Sequence, residues 1–213
     1  MTEVLSLKRD GEAAARSGLE RCVVGGGVAV FPADGLYGLA CDPLDRAAIA
    51  RIHAIKGRDD GKPSAVMYFS PLALRELLGG LGPRTRRAAG ALLPGPVTLV
   101  LANPQRRYPL ACGEDSARLG IRLIGGPLAG AMCPLFQTSA NRSGGRAPGS
   151  WEEVAPEVLA GVDLAIDGGT LTGLPSTVVD LSEIEIDGGW RILRQGAVSA
   201  GDLSAALAGL GDP

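Results

Sequence analysis

Short runs dominated by apolar residues alternate with amphipathic segments along the chain, and the two patterns predict different elements. Apolar runs of three to six residues bounded by turn-forming residues are typical of buried strands. They lie at residues 28–31, 37–41, 65–69, 97–101, 119–124, 164–166, 177–179 and 191–193. Segments with apolar residues at steps of three and four predict helices. These lie at residues 10–24, 46–56, 83–93 and 151–159, with another helix from residue 71 and a short one closing the chain.

Capping residues mark where several of these helices begin and end. Asp45 and Ser70 stand immediately before predicted helices, and Ser70 is followed by proline, a preferred first helical residue. Three glycines at 25–27 follow the first helix and predict its end. They are not a dinucleotide-binding loop, because that loop needs glycines between a strand and a helix.

The order of these elements predicts the fold class. Strands and helices mix without a regular β–α–β alternation, and no repeat or linker interrupts the 213 residues. We therefore expect one α/β domain over residues 1–213, with a twisted, mixed parallel and antiparallel sheet flanked by helices.

The charge balance and the apolar runs narrow the class of protein. The chain has 21 Lys and Arg against 23 Asp and Glu, and this near-neutrality disfavours a dedicated nucleic-acid-binding module. No apolar run approaches the roughly 20 residues that span a bilayer. The four cysteines form no Cys-x-x-Cys pair, so we expect reduced thiols and no zinc site. Together these features predict a soluble cytoplasmic protein without a membrane partner.

One cluster of cations has the chemistry of a phosphate site. Lys56, Arg58 and Lys62 lie within seven residues at the predicted end of a helix. Cations there ordinarily only complement the helix dipole. The alternative is a triphosphate clamp, in which lysine supplies a point charge and arginine a planar fork. The segment is not a P-loop, because Pro63 stands where a serine or threonine should hold magnesium.

A second candidate is the segment 138–145, which is rich in short polar side chains. We predict a loop there, and its Ser139 and Asn141 have the groups that hold phosphate and sugar oxygens, although ordinary loops share this composition. The single histidine, His53, is predicted on a solvent-facing turn of its helix. A hydrolase triad is disfavoured because its general base is normally a histidine.

Seven segments, taken in order, resemble those of the YrdC-like family. They are residues 32–39 (PADGLYGL), 56–58 (KGR, followed by Lys62-Pro63), 94–98 (PGPVT), Arg122, 139–141 (SAN), 175–177 (PST) and 193–196 (LRQG). The resemblance covers about residues 20–198, the motif-bearing core of the domain. It implies the family's fold and, by similarity, the activity of its threonylcarbamoyl-adenylate synthases.

That activity joins threonine, bicarbonate and ATP, with Mg²⁺ accompanying the triphosphate, and releases pyrophosphate as the first step of tRNA threonylcarbamoylation. By matching position, the resemblance implies that Lys56 and Arg58 act on the phosphate and carbamate oxygens. The implied ATP-binding residues are Lys56, Arg58, Lys62, Ser139, Asn141 and Arg194. The implied amino-acid-binding residues are Gly35, Tyr37, Arg122, Thr138 and Ser176. No residue is assigned to a metal. RNA or proteins of tRNA modification are the implied further partners.

The opening segment departs from the family, because Ala33 and Gly35 replace two threonines. The second of these threonines is where the family contacts its substrate threonine, so we expect a roomier, less polar pocket and selectivity restored by Gly35→Thr. Two other functions stay open on the sequence alone. One is a paralogous enzyme that forms a carbamoyl-adenylate from a different amine or carbamoyl donor. The other is a non-catalytic relative that binds double-stranded RNA.

Overall fold

The computed structural model describes residues 1–57 and 62–208. Its strands are β1 (Glu3–Ser6), β2 (Ala29–Pro32), β3 (Tyr37–Cys41), β4 (Ala65–Tyr68), β5 (Val97–Ala102), β6 (Arg118–Leu123), β7 (Leu135–Ser139), β8 (Leu164–Asp167), β9 (Thr177–Asp180) and β10 (Arg191–Arg194). Its helices are α1 (Leu7–Val24), α2 (Arg46–Lys56), α3 (Pro71–Gly79), α4 (Pro83–Leu92), α5 (Pro156–Ala160), α6 (Ile184–Asp187) and α7 (Ala200–Leu207).

All of these strands join one sheet in the order β1-β8-β2-β3-β7-β4-β6-β5-β9-β10. The pairs β1–β8, β2–β8, β4–β6 and β5–β9 are parallel, and the remaining neighbours are antiparallel. The predicted mixed α/β sheet is therefore confirmed. No helix within the described ranges is long and apolar enough to cross a membrane.

One face of the sheet is covered by helices along most of its width. Apolar residues of α2, α3, α4, α5 and α7 pack against strand residues such as Leu39, Ile121 and Phe136. His53 belongs to this packing. It is only 6% exposed, and its ring meets that of Phe136 edge-on at 5.9 Å. The prediction that His53 faces solvent is therefore wrong, because this turn of α2 lies against the sheet.

The opposite face is covered only in part. Helix α1 packs Ala15, Leu19 and Val23 against one end of the sheet, around Phe31 and Ile166. Towards β5, β9 and β10 the same face stays open, and small residues form its floor. Ala65 of β4 and Gly120 of β6 are direct cross-strand partners there. Small side chains at paired positions make this face concave, and the concavity is where the candidate site lies.

The local signals for the helix ends are confirmed. Asp45 accepts hydrogen bonds from the N–H groups of Ala47 and Ala48, Ser70 accepts one from Leu72, and α1 ends at Val24 before the three glycines. Four details of the prediction were wrong. The sheet has two strands that were not predicted: β1 at its edge, and β7, which extends into the predicted loop as far as Ser139. Helix α6 was not predicted either, and the predicted helix 151–159 is a 3-10 turn followed by α5. Pro156 explains the last break, since proline begins a helix more readily than it continues one.

Candidate active site

A cavity of about 640 Å³ lies on the open face of the sheet. Its floor is made of residues that point to this face from adjacent strands, among them Ala65, Gly120, Val100 and Val178. Its polar wall includes Ser64, Thr98, Arg118, Arg122, Gln137, Ser139, Ser176 and Arg194. The volume lies within the usual range of ligand pockets, roughly 300–1,000 Å³.

Lys56 binds the loop that follows Ser139, beside the cavity. It is only 3% exposed. Its ammonium donates to the carbonyl oxygens of Ser139 (2.5 Å) and Asn141 (2.7 Å) and lies 3.4 Å from the Asn141 side-chain oxygen. The Ser139 hydroxyl in turn lies 2.5 Å from that same Asn141 oxygen. Lys56 thus holds the loop in shape, and Ser139 is the member of this group that lines the cavity.

Arg194, Ser176 and Thr98 form a connected polar group on the far wall. Arg194 donates to the Ser176 carbonyl oxygen at 2.8 Å and to its hydroxyl at 3.2 Å. The Ser176 hydroxyl lies 2.8 Å from that of Thr98. Burial lowers the pKa of Arg194. The guanidinium therefore carries its charge into a partly desolvated wall, where an anion would be bound more strongly than in water.

Arg122 is the most deeply buried cation that lines the cavity, at 6% exposure. Its hydrogen bonds to Gln137 (3.3 Å) and to the Ala33 carbonyl oxygen (3.4 Å) are long, and Asp34 lies 3.7 Å away. Its Nε has no partner in the described part of the chain. Burial lowers the pKa of Arg122 to about 10, opposed by the charge of Asp34. A buried cation with such weak partners is suited to receive an anionic ligand.

The turn at residues 33–36 brings backbone and charge to this cation. The Ala33 N–H donates to the Leu36 carbonyl oxygen at 2.9 Å, and Asp34 takes a left-handed conformation with φ of 77°. Such a conformation is uncommon for residues other than glycine, although aspartate tolerates it. Its effect is to place a carboxylate beside Arg122 at the end of β2.

The segment 168–174 closes the wall next to Gly35. The Gly173 N–H donates to the Gly35 carbonyl oxygen at 2.9 Å, and the Leu174 carbonyl oxygen occupies the place of a Gly35 side chain. Tyr37 anchors the start of this segment: its hydroxyl donates to the Gly169 carbonyl oxygen and accepts from the Gly168 N–H. The expected extra room beside Gly35 is therefore filled by backbone, and that expectation is corrected.

The structure brings most of the sequence-predicted residues together. Those that line the cavity are Gly35, Tyr37, Arg122, Thr138, Ser139, Ser176 and Arg194. Asn141 and Lys56 bind Ser139 as described, and Lys62 is exposed next to Pro63 on the rim. Arg58 lies outside the described residues.

Sequence reasoning missed Thr98 and Gln137 as site residues. Thr98 is a polar residue inside an otherwise apolar strand and stands in the 94–98 segment, which was a usable signal. Gln137 directly precedes the polar 138–145 segment, but the strand on which it lies, β7, was not predicted. Its importance follows only from the register that sets it beside Arg122.

Comparison with known proteins agrees with this geometry. The sequence model of the Sua5/YciO/YrdC domain, described as "Telomere recombination", matches residues 22–196. The chain belongs to the Sua5/YciO/YrdC family. The matched range contains all of the cavity-lining residues named above.

Curated relatives support the assignment. A protein of Xanthomonas axonopodis pv. citri named threonylcarbamoyl-AMP synthase is 35% identical over 152 residues, which are 68% of this chain and 81% of the relative. One of the same name from Thiobacillus denitrificans is 32% identical over 174 residues, 79% of this chain and 92% of the relative.

Solved structures share the fold. P. abyssi Sua5 complexed with L-threonine superposes with a TM-score of 0.83 at 26% identity, over 98% of this chain and 61% of that one. This chain therefore spans about three fifths of that protein. E. coli YciO superposes with a TM-score of 0.78 at 25% identity, over 95% of this chain and 100% of that one.

Proposed function

We propose that this family member makes threonylcarbamoyl-adenylate from threonine, bicarbonate and ATP, the first step of tRNA threonylcarbamoylation. The observation that carries the proposal is one cavity lined by Ser139 at one side, Arg122 in the middle and the Ser176–Arg194 pair at the other. Such a cavity has cations and hydroxyls for a nucleotide beside a buried cation for a carboxylate. The name threonylcarbamoyl-AMP synthase of the curated relatives supports an adenylate product, and the complex of Sua5 with L-threonine supports threonine as a substrate.

The proposed chemistry needs positioning more than covalent catalysis. The threonine amine combines with bicarbonate to give a carbamate and water. A carbamate oxygen then attacks the α-phosphorus of ATP, and the bond to the β-phosphate oxygen breaks to release pyrophosphate. Negative charge accumulates on the phosphate oxygens, so fixed cations and N–H groups lower the barrier.

Each polar group of the cavity has a proposed place in this step. Arg122 neutralises the threonine carboxylate, and Ser176, held by Thr98, lies beside it. Arg194 and Ser139 hold the nucleotide, and Lys56 keeps the Ser139 loop in its binding shape. Tyr37 and Gly35 act through the backbone, because they fix the segment that forms the adjoining wall. Arg58, Lys62, Asn141 and Thr138 keep their proposed contacts with phosphate or amino acid.

Magnesium enters the proposal only as the ion that accompanies the triphosphate. Within residues 1–57 and 62–208, no group of three or more His, Cys, Asp or Glu side chains is arranged to hold a metal ion. No step above is assigned to the ion. We further propose that the reaction runs in the cytoplasm, where its substrates occur, and that the product passes to later enzymes of tRNA modification.

The decisive experiment measures pyrophosphate release from purified protein with ATP, bicarbonate and threonine. The proposal predicts release that needs all three, with carbon from labelled bicarbonate incorporated into an adenylate. A panel of other amines and carbamoyl phosphate forms the comparison set. Release with another amine but not with threonine would assign the paralogous activity instead. Double-stranded RNA binding without any adenylate formation would assign the non-catalytic alternative.

A further inference from the structure

Gln137 projects its side chain onto the cavity face of the sheet. It lies on β7, paired directly with Ala65 of β4 and Ala40 of β3. Side chains at paired positions share a face, so Gln137 stands over two alanines and next to the open floor. It is 8% exposed and lines the cavity. A buried amide placed among small apolar residues costs free energy unless its polar atoms find partners.

Among the described residues, one end of this amide has a hydrogen-bond partner and the other end has none. The Gln137 Oε1 accepts a hydrogen bond from Arg122 at 3.3 Å. The other end, Nε2, donates to no group in the part of the chain that the structure describes. Since Nε2 is not a fully buried orphan, it retains contact with the cavity. A neutral donor is thereby held beside a buried cation.

The backbone makes room for this arrangement at Gly38. A Cβ atom there would come within 2.8 Å of the Gln137 Nε2 and 3.0 Å of the Ala33 Cβ. Both separations are shorter than ordinary carbon contacts, so a side chain at position 38 would displace the amide. The absence of a side chain on Gly38 therefore leaves the space that the Gln137 amide occupies while it binds Arg122.

The weak contacts of Arg122 indicate that an anion binds beside the Gln137 Nε2 donor. Its contacts with protein oxygens are 3.3 Å or longer, and its Nε is unpaired among the described residues. An anion that enters to complete these contacts would place its oxygens next to Nε2. A carboxylate has two oxygens, and a guanidinium with a neighbouring amide offers donors to both.

We propose that Gln137 is a specificity-determining residue that binds the α-carboxylate of the amino-acid substrate together with Arg122. The inference rests on the proposed function and deepens it. Arg122 supplies the charge, and the Gln137 amide, oriented by its bond to Arg122, donates from Nε2 to the same carboxylate. The site therefore requires a free carboxylate, and it rejects threonine amide or threoninol, which leave these donors unpaired.

The test is the binding of threonine and of ATP, each measured by calorimetry. Gln137→Met keeps the length of the side chain but removes its donor and acceptor. Its threonine affinity should fall roughly tenfold to a hundredfold, as expected for a hydrogen bond to a charged group, with little change in ATP affinity. Gln137→Glu should bind threonine still more weakly, since its carboxylate would pair with Arg122. Gln105→Met, an exposed residue outside the cavity, is the matched control and should bind as the wild type does.

The possible results distinguish a failure of the Gln137 role from a failure of the proposed function. Preference of the wild type for threonine over threonine amide should shrink in Gln137→Met, a change that a purely structural role would not produce. Unchanged threonine affinity in both Gln137 variants, with wild-type melting temperatures, would overturn the role of Gln137 alone. A wild-type protein that binds no α-amino acid at all would overturn both the inference and the proposed function.

Discussion

The carbonyl oxygen of Leu174 lies where a Cβ atom on Gly35 would have to be placed. The Thr172 hydroxyl is 2.8 Å from the same position, and the Gly173 N–H binds the Gly35 carbonyl oxygen. Position 35 and the segment 172–174 therefore fit each other. The backbone of Leu174 occupies the space that a side chain at position 35 would need.

This fit reverses the expectation that Gly35→Thr restores selectivity. Even Gly35→Ala should force the 172–174 segment away, at a cost of about 1–3 kcal/mol in the free energy of unfolding. Gly35→Thr should cost more and lower activity, because Ser176 follows the displaced segment. Thermal melting and pyrophosphate release measure the two effects. The control is Gly90→Ala on α4, where a Cβ meets nothing within 4 Å, and it should be neutral or slightly stabilising.

A Gly35→Thr protein as stable as the wild type, with improved threonine use, would show that the segment moves freely. Position 35 would then accept a threonine side chain, and the lost threonine would be what limits substrate selectivity. Thr172 offers a second check. If its hydroxyl serves the cavity, Thr172→Val should raise the KM for threonine, whereas a purely structural hydroxyl would leave KM unchanged.

Lys56 is expected to stabilise the conformation of the segment 139–145 and thereby to support ATP binding. Lys56→Met leaves the buried carbonyl oxygens of Ser139 and Asn141 without this donor, which should cost about 1–3 kcal/mol of stability. Hydrogen exchange of the backbone amides at 139–145 should become faster, and ATP affinity should fall. Ser139→Ala removes one side-chain contact only, so it should weaken ATP binding with a loss of at most about 1.5 kcal/mol. Wild-type stability and exchange in Lys56→Met, with ATP binding lost, would instead indicate direct phosphate contact.

The sequence was informative wherever local chemistry decides the structure. The caps Asp45 and Ser70 and the glycines after α1 act within one turn, so their consequences can be inferred without the fold. The cavity depends on strand register instead. That Gln137 meets Arg122, or that Leu174 fills the space at Gly35, follows from the pairing of β7, β4 and β6 and from a long connection, neither of which leaves a pattern in neighbouring residues. His53 was misplaced for the same reason, because an isolated polar residue gives no sign of the surface that packs against it.

Thr98 and Thr177 lie on paired strands, and the same substitution should affect substrate use at the first and mainly stability at the second. The Thr98 hydroxyl binds Ser176 in the cavity wall. The Thr177 hydroxyl accepts from the N–H groups of Gly196 and Val198 and donates to the Val198 carbonyl oxygen. Thr98→Val should therefore raise the KM for the amino acid severalfold, with a loss of about 1 kcal/mol of stability. Thr177→Val should cost about 2 kcal/mol or more, since three contacts are lost. Equal losses of stability in the two variants would show that Thr98 is structural.

The buried charge of Arg122 should lower the free energy of unfolding of the protein without ligand. Burial lowers the pKa of Arg122 to about 10, well below the ordinary value for arginine, so the unfolded chain binds this proton more tightly than the folded chain does. The folded state is therefore penalised at every pH below about 10, and the penalty disappears only as the pH rises above 10 towards the ordinary pKa of arginine. Arg122→Met keeps much of the apolar contact and removes the charge. It should raise the free energy of unfolding by about 1–3 kcal/mol in the absence of ligand.

The same variant should lose amino-acid binding, because the carboxylate then has no charge to pair with. Threonine should raise the melting temperature of the wild type and leave that of Arg122→Met unchanged. The gain in stability should be constant between about pH 6 and pH 9, since Arg122 stays protonated throughout that range. Arg118→Met is the control: Arg118 is 39% exposed and lies 3.5 Å from the buried Asp180, so its loss should not stabilise the protein. An Arg122→Met protein that is less stable than the wild type would mean that the contacts with Gln137, Ala33 and Asp34 outweigh the burial of the charge. A variant that still binds threonine as the wild type does would mean that Arg122 does not pair with the carboxylate.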